Sequence, residues 1–185
     1  MIKGNKVILR EKKLSDALDD YTWETDEELA YLDAVPPTSV TFSQFLLGYT
    51  SDLRDPVPTS RRLAVDTLEG KHIGNCSYYN INDSKQEAEL GIMIGNRDYW
   101  DKGYGADAVA TLLKYIFSET NTKRVYLKTL ESNKRAQNCF VKSGFAPYGQ
   151  MTRNGYSFIL MEIERKEWEE RQKLSVPSHQ KPAAQ

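Results

Sequence analysis

The stretch Tyr99-Trp100-Asp101-Lys102-Gly103-Tyr104-Gly105-Ala106 lies between an apolar run, 88–94, and a segment with helical periodicity. The run is short and rich in large apolar residues, as is typical of a strand. The apolar residues that recur at helical spacing after it are Ala106, Val109, Ala110, Leu113, Ile116 and Phe117. Glycines let a phosphate approach the backbone, and the amides and dipole of a helix N-terminus attract negative charge. The stretch therefore predicts an anion-binding loop in a cofactor-binding enzyme.

The composition is that of an ordinary globular protein with room for one domain. Of the 185 residues, 39% are hydrophobic and 28% are charged. The formal net charge of -1 argues against a broad basic surface for nucleic acid. No apolar run approaches the ~20 residues that span a bilayer, and residues 1–6 lack the apolar core of a secretory signal. We expect a cytoplasmic protein with no nucleic-acid or membrane partner.

Cysteine and histidine are too sparse for a disulfide framework or a zinc site. The cysteines are Cys76 and Cys139, with no CxxC pair, and the histidines are His72 and His179. Because these residues do not match metal-ligand spacings, we expect no metal, and we expect a reducing compartment.

Periodicity and turn residues predict an α+β domain with a mixed, mostly antiparallel sheet and helices on both faces. A proline- and polar-rich tail predicts disorder, so we expect a domain over 1–172 and a disordered tail over 173–185. The predicted strands are Lys6–Arg10, Arg62–Thr67, His72–Ile81, Glu87–Ile94, Arg124–Leu130, Phe145–Met151 and Tyr156–Ile163. The predicted helices are one capped by Ser15, Asp26–Asp33, Thr41–Leu53, Gly103–Glu119 and Asn133–Lys142.

A second motif, Asn133-Lys134-Arg135-Ala136-Gln137-Asn138-Cys139-Phe140-Val141-Lys142-Ser143-Gly144-Phe145, follows the glycine loop after one strand. Together the two motifs resemble the GNAT superfamily of acetyl-CoA-dependent N-acetyltransferases over residues 3 to about 164. The segments 88–92 and Tyr99-Trp100 are most similar to the branch of ribosomal-protein N-terminal and polyamine acetyltransferases.

A dinucleotide-binding alternative rests on residues 103–108, which also match the form GxGxxA, with Glu131 where a ribose-binding acid would lie. In a nucleotide fold the first glycine follows its strand almost at once, whereas here eight residues, Gly95–Lys102, intervene. Too little chain also remains after Glu131 for further strand–helix units, so this alternative is disfavoured.

The resemblance implies that acetyl-CoA is the co-substrate and that an amine attacks its thioester directly in a ternary complex. It also implies that the strand carrying the pantetheine contacts separates from Arg124–Leu130 and leaves backbone groups free. The residues assigned to the cofactor on this basis are Ile92, Met93, Ile94, Arg97, Lys102, Gly103, Tyr104, Gly105, Ala106, Asn133 and Lys142. Asn133 also opens a helix, so an N-cap role is an equal alternative.

Glu89 is the candidate general base, because a primary amine is largely protonated at neutral pH. Its alternative is a solvated strand-end carboxylate in a cross-strand pair. Phe140 departs from the family, which frequently has a tyrosine there to protonate the leaving thiolate, and phenylalanine cannot donate a proton. Tyr104 or Tyr156, water, or the ammonium of the intermediate remains as the proton source.

The acceptor is expected to bind near Trp23, Asp26, Glu28 and Tyr31, which combine aromatic and acidic side chains suited to a cationic amine. A solvated amphipathic helix is the alternative for this segment. The acceptor could be a protein N-terminus or a small amine such as a polyamine, and the protein a monomer or homodimer. An acyl-CoA-binding sensor that has lost catalysis is the alternative function.

Overall fold

A computed structural model describes residues 1–175 of the chain. Within this part the strands are β1 (Ile2–Lys3), β2 (Val7–Glu11), β3 (Ser60–Thr67), β4 (His72–Asn82), β5 (Glu87–Ile94), β6 (Arg124–Leu130), β7 (Ala146–Arg153) and β8 (Tyr156–Glu164). The helices are α1 (Ala17–Glu24), α2 (Glu27–Leu32), α3 (Phe42–Arg54), α4 (Tyr104–Glu119), α5 (Lys134–Lys142) and α6 (Arg165–Ser175).

The strands form one sheet in the order β1-β2-β3-β4-β5-β6-β8-β7. Neighbouring strands are antiparallel except β5 and β6, which are parallel because α4 connects them as a crossover. The predicted α+β fold with a mixed, mostly antiparallel sheet is therefore confirmed. The edge strand β1 was not predicted, since two residues carry no readable alternation.

One face of the sheet holds the apolar core. Alternate residues of the strands, such as Leu9, Val65 and Leu127, pack there against Leu112 and Ile116 of α4 and are at most 1% exposed. The apolar face of α4 follows from its helical spacing, and burying that face against the sheet stabilises the domain.

The opposite face of the sheet carries buried ion pairs beneath α1. Arg10 donates to Asp16 (Nη1 to Oδ2, 2.7 Å) and to Asp66 (Nε to Oδ2, 2.6 Å). Lys12 pairs with Asp20 in the same layer. The predicted helix cap at Ser15 is wrong, because Ser15 and Asp16 belong to a 3-10 turn and α1 starts only at Ala17. The side chain of Asp16 accepts from Arg10.

Helix α6 was not predicted, because its sequence is highly charged and has a weak apolar stripe. Tertiary contacts hold it: Trp168 lies 5.5 Å from the ring of Phe117, and Arg165 donates to the carbonyls of Thr120 and Thr122 after α4. Residues 173–175, placed in the predicted tail, form the last turn of α6. The rest of that predicted tail, 176–185, lies outside the described residues.

Among the helices of residues 1–175, none combines the length and the apolar composition needed to cross a bilayer.

Candidate active site

A cavity of about 280 Å³ opens where the carboxyl end of β5 meets the N-termini of α4 and α5 and the end of α2. The residues that line it are Leu29, Leu32, Asp33, Ile92, Met93, Ile94, Tyr99, Trp100, Asp101, Gly103, Gly105, Ala106, Asn133, Arg135, Ala136, Asn138, Cys139, Phe140 and Lys142. The cavity therefore brings together the two sequence motifs that lie some thirty residues apart, and most of the predicted cofactor residues line it.

The sheet splits beside this cavity. Strands β5 and β6 pair at three positions, the last of which joins Glu89 to Tyr126. Beyond Glu89 the β5 backbone remains paired with β4 on one side and has no strand partner on the other within the described sheet. The predicted separation of these strands is present. The unpaired edge at 92–94 offers backbone donors and acceptors to an extended ligand.

The glycine loop places the start of α4 at the cavity. Gly103 is the N-cap in the left-handed region, with φ of 84°, and Asp101 before it is also left-handed. The first amides of α4, a 16-residue helix, are free of intrahelical partners and carry the positive end of its dipole. This arrangement suits an anion such as a pyrophosphate.

Two predicted loop residues do not line the cavity. The Lys102 carbonyl accepts a hydrogen bond from Nζ of Lys6 (2.8 Å), and the ring of Tyr104 packs edge-on against Tyr99, with centroids 4.9 Å apart. Both residues support the loop. Sequence reasoning missed the contact of Lys6 with this loop, because nothing in the local sequence connects the residue before β2 with a loop 96 residues later.

Arg97, predicted to contact the cofactor, forms ion pairs with two carboxylates instead of lining the cavity. Its Nη2 lies 2.8 Å from Oδ1 of Asp26 and 2.8 Å from Oε2 of Glu28, and it does not line the cavity. These ion pairs attach the loop before α4 to the start of α2. Asp26 and Glu28 share the single positive charge of Arg97, and Asp26 also caps α2 by accepting from the amide of Leu29 (3.0 Å), so neither is a free acid. Their predicted contact with the acceptor stays a prediction.

Arg135 is a cavity-lining cation that sequence reasoning missed. Its guanidinium carbon lies 3.3 Å from the ring centroid of Trp100, whose Nε1 donates to the Ile94 carbonyl (2.6 Å). Arg135 and Lys142 supply positive charge on the α5 side of the cavity. Arg135 stands within the second motif, so the sequence could have suggested it. The sequence does not show that its side chain faces the cavity.

Asn133 lines the cavity and is the N-cap of α5. Its Oδ1 accepts a hydrogen bond from the amide of Ala136 (3.0 Å). The capping alternative is therefore present in the structure, and the pantetheine contact stays a prediction.

Glu89 lies beneath the cavity and does not line it. Its carboxylate is 5% exposed as a residue and accepts from Lys128 Nζ (2.5 Å), Tyr79 Oη (3.0 Å) and Asn80 Nδ2 (2.9 Å). The cross-strand pair of the alternative is present, since Glu89 pairs with Lys128 of β6, but the carboxylate is buried and not solvated. Three donors occupy its oxygens, which favours a positioning role over direct contact with an amine.

The acceptor side differs from the prediction in its aromatic residues. Trp23 is a core residue, 8% exposed, with its ring 4.9 Å from that of His72, so its predicted contact with the acceptor is corrected. Tyr31 is 50% exposed and lies 5.9 Å from Tyr156 between ring centroids. Of the four predicted acceptor residues, Tyr31 has an exposed side chain, Trp23 is buried, and Asp26 and Glu28 are paired with Arg97.

Two further carboxylates of the predicted aromatic and acidic segments, Glu24 and Asp33, also stand on this side. Asp33 lines the cavity, and burial by the surrounding protein raises its pKa, while Lys128 acts to lower it. Burial also raises the pKa of Glu24, and the charges of Asp20 and Asp33 add to the rise. Neither Asp33 nor Glu24 makes an ion pair within residues 1–175.

Phe140 and Cys139 complete the wall on the α5 side. Phe140 is 5% exposed and packs edge-on against Phe145, with ring centroids 5.8 Å apart. Burial raises the pKa of Cys139 to about 11, so it remains a thiol at neutral pH. In the described part of the chain, no three His, Cys, Asp or Glu side chains are grouped so that they could hold a metal ion.

Comparison with known proteins agrees with this geometry. Residues 6–146 match the sequence pattern of the family described as acetyltransferase (GNAT) domain. The uncharacterized N-acetyltransferase p20 of Bacillus licheniformis is 28% identical over 130 residues, which are 69% of this chain and 72% of that protein.

Solved structures share the fold. Spermidine N-acetyltransferase from Vibrio cholerae, in complex with CoA and spermine, superposes with a TM-score of 0.78 at 21% identity, over 88% of this chain and 97% of that one. Aminoglycoside acetyltransferase AAC(6')-Ib, in complex with coenzyme A, gives a TM-score of 0.74 at 20% identity, over 90% and 99% of the two chains.

Proposed function

The chain belongs to the acetyltransferase (GNAT) domain family and is an acetyl-CoA-dependent N-acetyltransferase, and we propose that its acceptor is the primary amine of a small cation such as a polyamine. The amine attacks the thioester directly while both substrates are bound. The observation that carries this proposal is the unpaired edge of β5, which meets the N-terminus of α4 on one side and the acidic end of α2 on the other.

The cofactor half uses backbone groups first. The pantetheine arm lies along the open edge of β5 at 92–94, and the pyrophosphate lies at the amides of Gly103 to Ala106. Arg135 and Lys142 add positive charge at the α5 wall, where Asn133 also stands. Arg97 is left out of this set, because its guanidinium is paired with Asp26 and Glu28.

Charge on the acceptor half supports a cationic substrate. Glu24 and Asp33 are exposed carboxylates without ion pairs in the described residues, so both are free to attract a cation. Tyr31 and Tyr156 add aromatic surface at the entrance. The relatives described above include enzymes named for spermidine and for aminoglycosides, whose amines are also cationic.

The test measures thiol release from acetyl-CoA with a panel of amines: a polyamine, an aminoglycoside, a neutral monoamine and a peptide with a free N-terminus. We expect turnover with the polyamine to exceed that with the monoamine, and Glu24→Gln to raise the KM for the polyamine at low salt. Asp52→Asn, which removes an exposed acid on α3 paired with Arg62, is the matched control and should leave the KM unchanged.

Two results would contradict the proposal. Acetyl-CoA binding without turnover on the whole panel would favour the acyl-CoA sensor over catalysis. Turnover confined to the peptide would keep the N-acetyltransferase reaction but replace the small cation by a protein N-terminus.

A further inference from the structure

Asp33 is the acid of the acceptor half that both lines the cavity and lacks a partner. Within residues 1–175 its carboxylate accepts no hydrogen bond and makes no ion pair, although it borders the same space as 92–94 of β5. By contrast, Glu89 is held by three donors, and Asp26 is held by Arg97. Asp101, the other acid on the cavity wall, lies in the glycine loop on the cofactor side.

The end of α2 places Asp33 at this position. Asp33 is the C-cap of α2, and the next two amides turn back into the helix: Ala34 N donates to Tyr31 O (2.9 Å) and Val35 N donates to Ala30 O (3.0 Å). This is a Schellman turn, in which glycine usually occupies the left-handed position. Here Ala34 occupies it with φ of 56°, at a cost of about 1–2 kcal/mol.

The local sequence is therefore poorly suited to stability at two adjacent positions. A left-handed alanine is strained, and an aspartate at the carbonyl end of a helix meets the negative end of the dipole. The turn nevertheless places the Asp33 carboxylate at the cavity wall, open to solvent, where an incoming amine can reach it. The positive charge of Lys128, which pairs with Glu89, acts to lower the pKa of Asp33.

On the basis of the N-acetyltransferase function proposed above, we propose that Asp33 binds the incoming ammonium group and is the general base that removes its proton. The proton passes from the ammonium nitrogen to a carboxylate oxygen of Asp33 and later to solvent. The neutral amine forms a C–N bond to the thioester carbonyl carbon. The C–S bond then breaks, and the second nitrogen proton moves to the departing sulfur, giving the amide and free CoA.

This assignment gives each of the two carboxylates a separate role. Asp33 contacts the amine, whereas Glu89 holds Lys128 and Tyr79 in place beneath the cavity and acts as a positioning residue. The transfer of the second proton within the intermediate needs no tyrosine at position 140, which accords with the phenylalanine found there.

The experiment compares wild type, Asp33→Asn, Asp33→Glu and Glu89→Gln, using thiol release over a range of pH with the best amine of the panel. In wild type, kcat/KM should fall at acid pH as the base becomes protonated. Asp33→Asn should lower kcat/KM about 10²- to 10⁴-fold and abolish its fall at acid pH. Asp33→Glu, which keeps a carboxylate, should recover part of the activity and part of the pH dependence. CoA affinity and the Tm of Asp33→Asn should not fall, since its side chain has no partner to lose.

A weakly basic amine, unprotonated at neutral pH, supplies an independent measure. It needs no base for the first proton, so its rate should fall much less in Asp33→Asn than the rate of a strongly basic amine. Equal losses for the two amines would overturn the proton-acceptor role. Loss of the acid limb in Glu89→Gln, with the limb intact in Asp33→Asn, would make Glu89 the base and overturn the proposal. If the wild-type protein were inactive with every amine, the proposed function and the role of Asp33 would both be overturned.

Discussion

Replacing Gly103 by alanine is expected to destabilise the protein, whereas the same replacement at Gly105 is expected to stabilise it. A Cβ at Gly103 would have its nearest neighbour, Lys6 Nζ, at 3.6 Å, so space is available. The penalty comes from φ of 84°, which costs an alanine about 1–2 kcal/mol. Gly105 lies inside α4, and its Cβ would meet Cys139 Sγ at 3.6 Å and Ile94 Cγ1 at 3.7 Å, which are ordinary contacts.

The gain at Gly105 is about 0.5–1 kcal/mol, because alanine loses less backbone freedom than glycine on entering a helix. The two variants should therefore differ by about 1.5–3 kcal/mol in the free energy of unfolding. For a chain of this size that separates their Tm values by roughly 3 to 12 °C.

Thermal and urea denaturation without cofactor measure this difference. Gly103→Asn is the control, because asparagine adopts the left-handed region more readily than alanine and should lose less stability. A Gly103→Ala variant as stable as Gly105→Ala would refute the reasoning, since it would mean that the loop does not need the left-handed conformation.

Two further substitutions test the cap of α5 and the ion pairs beneath α1. Asn133→Ala should lose about 1 kcal/mol of stability with the hydrogen bond from Ala136, whereas Asn133→Asp keeps an acceptor oxygen and should stay near wild type in urea denaturation. Equal losses in the two variants would contradict the capping role, and a raised KM for acetyl-CoA in both would support the predicted pantetheine contact. Burial acts to raise the pKa of Asp16, but hydrogen bonds from Arg10 and from the Lys13 amide hold it below its usual value. Its ionised form therefore adds stability above the unfolded pKa of about 3.9, and this stability is lost as the pH falls through the lower folded pKa. Asp16→Asn should lose about 3 kcal/mol at pH 7 and show a flatter fall of stability with acid, and a fall parallel to wild type would contradict the pairing.

The cofactor half of the site was largely predictable because its parts are local. The strand Glu87–Ile94, the loop and the helix after it are contiguous in sequence, and each carries its own periodicity or turn signal. The bounds of Arg124–Leu130 were also predicted as observed, since a short run of branched and aromatic residues ends at polar ones.

The acceptor half was not predictable in the same way, because it depends on which charges meet in space. Asp26 and Glu28 look like free acids in the sequence, yet both pair with Arg97, which lies 71 and 69 residues away in the chain. Glu89 has the alternation of a strand residue, but the three donors that surround it come from β4 and β6. Asp33 belongs to the predicted aromatic and acidic segments, but the sequence did not distinguish it from the other acids there, because only the packing of α2 near β5 makes it line the cavity.

By itself, the sequence determined the order of the elements between β2 and β8, and its two motifs pointed to the family and to acetyl-CoA. The order of elements follows from periodicity, which acts over a few residues, whereas the family and the cofactor follow from the resemblance of the two motifs to known acetyltransferases. Only the tertiary structure decided which carboxylates remain unpaired at the cavity and which are neutralised. Ion pairing depends on distances of about 3 Å between residues far apart in the chain, and no local pattern encodes those distances.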